Sequence, residues 1–138
     1  QIHLELTTLL IPGINDSPEE LKKMTQWIAK NLGPKTPWHL SRYSPDSAPD
    51  EKFQQIPATS VTLLEKAATI GQKAGLEFVY IWAPGHNLLC GLFSRSETVC
   101  PKCGSLAISR SGWQPTILAV DKTGHCTKCG EDLNIHLR

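Results

Sequence analysis

Long apolar runs are missing from this chain of 138 residues. No stretch approaches about 18 uninterrupted apolar residues, which excludes a membrane-spanning helix. The opening Gln1-Ile2-His3-Leu4-Glu5-Leu6 has neither a basic segment nor a long apolar run, so no signal peptide is read there. Charge of one sign is missing as well: 14 Lys and Arg against 13 Asp and Glu leave +1. A near-neutral chain gives no reason to expect nucleic acid or an anionic membrane as its main partner. No phosphate loop, nucleophile elbow or H-E-x-x-H motif occurs, so the residues by themselves hold no self-sufficient catalytic constellation. An initiating Met is also lacking. The chain starts inside what reads as a strand and is expected to be a piece of something longer.

What is present suits a folded protein. Hydrophobic residues make up 40% and charged residues 20%, which excludes a disordered tail and leaves enough for a core. Composition changes near residue 94. Residues 1–93 hold 8 basic and 9 acidic side chains and one of the five cysteines, Cys90. Residues 94–138 hold 6 basic and 4 acidic side chains and the other four cysteines. Two regions are therefore expected, 1–93 and 94–138.

The first region reads as alternating strands and helices. Ile2 to Ile11 alternates and then becomes continuously apolar, as in a strand with both faces buried at one end. Pro12-Gly13 stops it. Ser17, Pro18 and Glu20 then form a capping box with Pro at the first helical position. Leu21, Met24, Ile28 and Leu32 recur at helical spacing, with Trp27 on the flank, until Gly33-Pro34 ends the helix. Trp38 to Tyr43 is a second strand, followed by a polar loop with three prolines to about Ala58. A helix from about Ser60 to Ala74 and a strand from Leu76 to Trp82 complete a β-α-β-α-β order. Such an order calls for parallel crossovers. The aromatics Trp27, Trp38, Phe78, Tyr80 and Trp82 fit core positions. Three parallel strands with two helices leave open edges, so the region looks like part of a larger barrel or sheet.

The second region carries the strongest signal. Cys100-Pro101-Lys102-Cys103-Gly104 and Cys126-Thr127-Lys128-Cys129-Gly130 are two C-x-x-C-G units separated by 22 residues. Each unit curls so that both thiolates face one ion, and the Gly lets the backbone turn beneath it. Cys100, Cys103, Cys126 and Cys129 thus describe a closed structural zinc site. Tetrathiolate iron is the competitor, because its knuckles look alike. Disulfides would need an oxidising compartment, to which nothing in the sequence points. Ser111-Gly112 signals a hairpin turn between Leu106–Arg110 and Trp113–Val120. His125 beside Cys126 reads as a solvated turn residue, and Cys90 as a small buried apolar one.

Ligands of parallel α/β proteins meet the loops beyond the C-terminal strand ends. Here those loops are Pro12–Asp16, Arg42–Pro45 and Ala83–Asn87. Asn15 and Asp16 lead the chain into the Ser17 cap. Arg42 can pair with Asp46 or hold an anionic group. His86 is divided between loop packing and a polar role.

Leu9-Leu10-Ile11-Pro12-Gly13-Ile14-Asn15-Asp16-Ser17, Pro37-Trp38-His39-Leu40-Ser41-Arg42-Tyr43-Ser44-Pro45, Pro84-Gly85-His86 and the two cysteine knuckles form an ordered run. It resembles the C-terminal part of radical S-adenosylmethionine enzymes similar to pyruvate formate-lyase activating enzymes, in the subgroup named for the AmmeMemoRadiSam system. The resemblance implies the last strands of a partial (β/α) barrel with an appended zinc ribbon, in a cytoplasmic enzyme. In that family a [4Fe–4S] cluster on a C-x-x-x-C-x-x-C loop splits S-adenosylmethionine to a radical. This chain has no such motif, so the cluster and S-adenosylmethionine are expected only in a full-length parent, and the fragment alone is inert. Arg42 and His86, at the strand ends, are the residues expected to face the cofactor on the working side of such a barrel. Two positions depart from the activases: Ser44 stands where a His approaches the cofactor, and Thr7 where an Arg is frequent. The expected partners are the remainder of the parent chain and a protein substrate or docking partner. The other reading is a free-standing zinc-ribbon module that binds a protein or nucleic acid. Against it, the second region has only 6 basic residues and one aromatic, Trp113.

Overall fold

The computed structural model describes residues 3–83, 89–90, 93–94, 96–111 and 114–136. It is a mixed α/β fold with one parallel sheet, two antiparallel sheets and a cysteine cluster toward the C-terminus. Strand β1 (Leu6–Leu10), helix α1 (Pro18–Asn31), strand β2 (Trp38–Arg42), a one-turn helix α2 (Glu51–Gln54), helix α3 (Val61–Lys73) and strand β3 (Val79–Trp82) make the first part. The strands lie in the order β1-β2-β3, both pairs parallel, with Leu6 opposite Trp38 and Trp38 opposite Val79. No helix among the described residues is long and apolar enough to cross a membrane.

Local chemistry sets the elements. Ser17 caps α1 by accepting from the Glu20 N–H, Pro18 takes the first turn, and Ser60 caps α3 through the Leu63 N–H. Leu21 and Ile28 of α1 and Leu64, Ala67 and Ala68 of α3 bury against Leu10, Trp38, Leu40, Val79 and Ile81. Both helices therefore cover the same sheet face. Among the described residues Trp38 is the largest fully buried side chain, and its indole N–H donates to Thr8 Oγ1 at 2.9 Å. Gly71 makes room for it: a Cβ there would lie 2.6 and 2.8 Å from the Trp38 ring. Buried Thr59 ties two strand ends together, donating to the Leu10 carbonyl and accepting from the Tyr43 N–H.

Three expectations change. The first strand begins at Leu6, since Leu4 and Glu5 lie outside the ladder. The proline-rich loop holds a 3-10 turn at Pro45–Ser47 and α2, which Asp50 caps through the Lys52 N–H. Trp27 and Trp82 are 58% and 40% exposed, not core residues; Trp27 falls just beyond the apolar stripe of α1, and Trp82 sits on the helix-free sheet face, away from the end that Phe78 and Tyr80 fill.

The second part is β-rich. Two-residue strands β4 (Leu89–Cys90) and β5 (Phe93–Ser94) pair antiparallel, and β6 (Thr98–Val99), β7 (Leu106–Ser111) and β8 (Gln114–Ile117) form an antiparallel sheet. β7 and β8 pair with Ser111 opposite Gln114, and β8 ends at Ile117, short of Val120; Gly112 of the expected turn lies outside the described residues. This part packs on the sheet face that the helices leave bare. Phe78, 3% exposed, joins Cys100, Ala107, Cys126 and Leu133 in one cluster, and Tyr80 packs against it. Lys35 Nζ donates to Glu131 Oε1 at 2.9 Å and to the Asp132 carbonyl at 2.7 Å, and Asn134 Nδ2 donates to the Lys35 carbonyl at 3.1 Å.

Lys35 makes the seam acid-sensitive. Its hydrogen bond and charge hold the Glu131 carboxyl below its ordinary value. A lowered carboxylate contributes stability above its unfolded pKa and loses it as pH falls through the folded one. Acid titration of Lys35→Met, followed by thermal melting, is expected to show a flatter acid limb than wild type. Superimposable limbs would remove Glu131 from the seam.

Candidate metal centre

The two C-x-x-C-G units fold as near-copies. In the first, the Gly104 N–H donates to the Cys100 carbonyl at 2.9 Å and the Cys100 N–H to the Ser105 carbonyl at 2.9 Å. In the second, the Gly130 N–H donates to the Cys126 carbonyl and the Cys126 N–H to the Glu131 carbonyl, both at 2.8 Å. Gly104 and Gly130 sit at φ +70° and +74°, the left-handed conformation that closes each knuckle. Sequence spacing foresees this role for both glycines.

The knuckles bring four sulfurs together. Cys100 Sγ lies 3.6 Å from Cys129 Sγ, Cys103 Sγ lies 3.7 Å from Cys126 Sγ, and all four lie within 4.8 Å of one another. A disulfide needs about 2.05 Å. Four sulfurs at about 2.3 Å from one tetrahedral ion are about 3.8 Å apart along each edge. The group is thus compatible with one metal ion such as zinc. The spacing is too tight for the thiolates of a four-iron cube, so these cysteines do not fit a [4Fe–4S] cluster.

Ser105 tunes the group. Its hydroxyl lies 3.1 Å from Cys103 Sγ and 3.4 Å from Cys126 Sγ. Hydrogen bonding by Ser105 pulls the Cys103 thiol down and takes Cys126 down to about 6. For Cys129 the Glu131 backbone N–H pulls down, but burial and the sulfurs of Cys103, Cys100 and Cys126 outweigh it and push the thiol up to about 12. Burial likewise raises Cys100. Four crowded sulfurs cannot all shed their protons without a cation between them, and metal binding supplies that cation.

His125 is not among the ligands. Its Nδ1 lies 3.0 Å from Thr123 Oγ1, and its backbone N–H donates to Asp121 Oδ1, so it belongs to the turn. Sequence reasoning missed Ser105, Phe78 and Lys35. The first follows a knuckle glycine; the other two lie in the α/β part, where no spacing rule points at a metal.

At the other end of the sheet, Arg42 borders a cavity of about 380 Å³ with Leu9, Ile11, Tyr43 and Phe53. Its Nε donates to the Thr59 carbonyl at 3.0 Å. Asn15 accepts from the Ile11 N–H at 2.7 Å and donates to the Leu9 carbonyl at 2.9 Å, and Asp16 accepts from the Gly13 N–H, so this pair shapes the loop. His86 lies outside the described residues.

No family model matches the chain, and no solved structure matches it. An uncharacterized protein of Methanocaldococcus jannaschii is 35% identical over 138 residues, covering 99% of this chain. The chain spans 38% of the length of that relative.

Proposed function

We propose that the four cysteines hold one structural zinc ion, and that the chain is the C-terminal portion of a cytoplasmic radical S-adenosylmethionine enzyme similar to pyruvate formate-lyase activating enzymes. The observation that carries the second part is the one-sided sheet. Leu10, Leu40 and Ile81 face the helices, whereas among the described residues the opposite face is covered at its Phe78–Tyr80 end. Leu9 and Trp82, toward the other end of that face, are 45% and 40% exposed. In a (β/α) barrel this face would be the interior, and further parallel strands would flank β1 and β3. The extra length of the Methanocaldococcus jannaschii relative supports a parent long enough to supply them.

In this reading the ribbon fills the barrel at the N-terminal ends of the strands, and the zinc stiffens that filling. Zinc suits the role because it has no redox chemistry and closes a tetrahedral thiolate site. The iron–sulfur cluster and S-adenosylmethionine would be held by the remainder of the parent, since these residues offer no second cysteine set. Arg42, at the C-terminal end of β2, would offer its guanidinium to an anionic group on the working side.

The test is to capture the native product anaerobically from its source cells with an antibody to this chain. A protein well above 15.2 kDa that carries a C-x-x-x-C-x-x-C peptide and releases 5′-deoxyadenosine from S-adenosylmethionine is expected. In that parent, Arg42→Ala is expected to lower cleavage or turnover about tenfold or more, as loss of a charged hydrogen-bond partner does. A native product of 15.2 kDa without iron would overturn the reading.

A further inference from the structure

Three of the five histidines gather at a place that no motif marks. His3 precedes β1, His39 lies in β2 and His136 lies near the C-terminus. Glu5 stands between the first two: its Oε1 is 2.9 Å from His3 Nε2, and its Oε2 is 2.9 Å from His39 Nε2. The His136 ring meets the His3 ring edge-on, with centroids 5.4 Å apart. All four side chains line a cavity of about 340 Å³ between the parallel sheet and the ribbon. The position is set from behind. Tyr80 stacks on the His39 ring at 4.9 Å, Tyr80 Oη lies 3.0 Å from Thr98 Oγ1, and the Arg110 guanidinium lies over the Tyr80 ring.

We propose that His3, Glu5, His39 and His136 form a second metal site, separate from the four cysteines, that takes one borderline divalent cation of the zinc, cobalt or nickel class. Imidazole and carboxylate are the donors such ions prefer when thiolate is absent. Both imidazoles present Nε2 to the carboxylate, which accepts from it; an ion displaces that hydrogen bond, each neutral ring then carrying its proton on Nδ1 and turning the Nε2 lone pair on the ion. The cluster is more open than the thiolate one, the only group of described ligand atoms already gathered within 4.8 Å. Closing it takes side-chain rotation, for which the cavity leaves room, and His3 lies at an exposed stretch of chain. The stacked Tyr80 acts as the outer partner that fixes the His39 ring. An ion here would join the segment that leads into β1, β2 and the C-terminal segment, pinning the ribbon to the sheet independently of Lys35.

The test uses the full chain with its cysteines already filled by zinc and Co²⁺ as the probe. One further equivalent is expected, with weak visible bands that lack thiolate charge transfer and with paramagnetic broadening at His3, His39 and His136. His39→Gln and Glu5→Gln are expected to weaken Co²⁺ binding about tenfold or more while zinc stays at one per chain. His3→Gln serves as the variant that leaves folding intact and is expected to weaken binding likewise. No second equivalent, or a second equivalent with unchanged affinity in His3→Gln and His39→Gln, would overturn the proposal.

Discussion

Stripping the ion from the four thiolates with a strong chelator is expected to unfold residues 96–136 while α1, α3 and the parallel sheet keep their helical and strand signals. The ribbon has little core of its own. Its buried cluster consists of Ala107, Leu133, Phe78 borrowed from the sheet, and two of the cysteines themselves, Cys100 and Cys126. Apparent zinc-binding free energies of small thiolate sites are on the order of 10 kcal/mol, more than such a cluster contributes. Without a cation the four sulfurs cannot all be thiolates, lose their common partner and move apart. Because Phe78 is 3% exposed against Cys100 and Cys126, the loss should also reach β3, shifting the amide signals of Phe78 and Tyr80. Cys126→Ser is expected to act like the chelator. Amide spectra recorded before and after metal removal decide the point, and an unchanged ribbon spectrum would contradict it.

Trp38→Ala is expected to cost about 3–5 kcal/mol in denaturant unfolding, the range for removing a fully buried large aromatic. Trp38 is 0% exposed and fills the space between the sheet and α3. Its removal leaves a cavity that α3 cannot collapse into without moving Leu64 and Ala67, and it takes away the hydrogen-bond partner of Thr8 Oγ1. The opposite error is made by Gly71→Ala, whose methyl would meet the Trp38 ring at 2.6 Å; overpacking of that kind costs about 1–3 kcal/mol. The two sites share one space, so their effects should not add, and Trp38→Phe should lessen the damage of Gly71→Ala. A loss under about 1 kcal/mol for Trp38→Ala would mean that the core lies elsewhere.

Much of this was legible in the residues. Capping by Ser17 and Ser60, the stops at Gly33 and Gly75, and the apolar spacing of α1 and α3 are local signals, and the helices form where those signals stand. The cysteine knuckles are equally local: six residues set each turn, and the sulfurs converge as their spacing requires. What the sequence did not disclose is which face each element meets. Trp27 and Trp82 look like core aromatics by type, yet one lies off the helix stripe and the other on the sheet face away from the helices. Lys35 and Glu131 stand 96 positions apart, and His3, His39 and His136 meet from both ends of the chain. Such contacts follow from how the ribbon lies across the sheet, which no local periodicity encodes.

The central claim is that one ion, held by four sulfurs, orders the ribbon against the sheet. Zinc K-edge absorption on the purified chain tests it most directly. One zinc per chain surrounded by four sulfurs at about 2.3 Å is the expected result. With zinc held at one equivalent per chain, a nitrogen or oxygen in the first coordination sphere, iron in place of zinc, or a metal-free chain with an unchanged ribbon would contradict it.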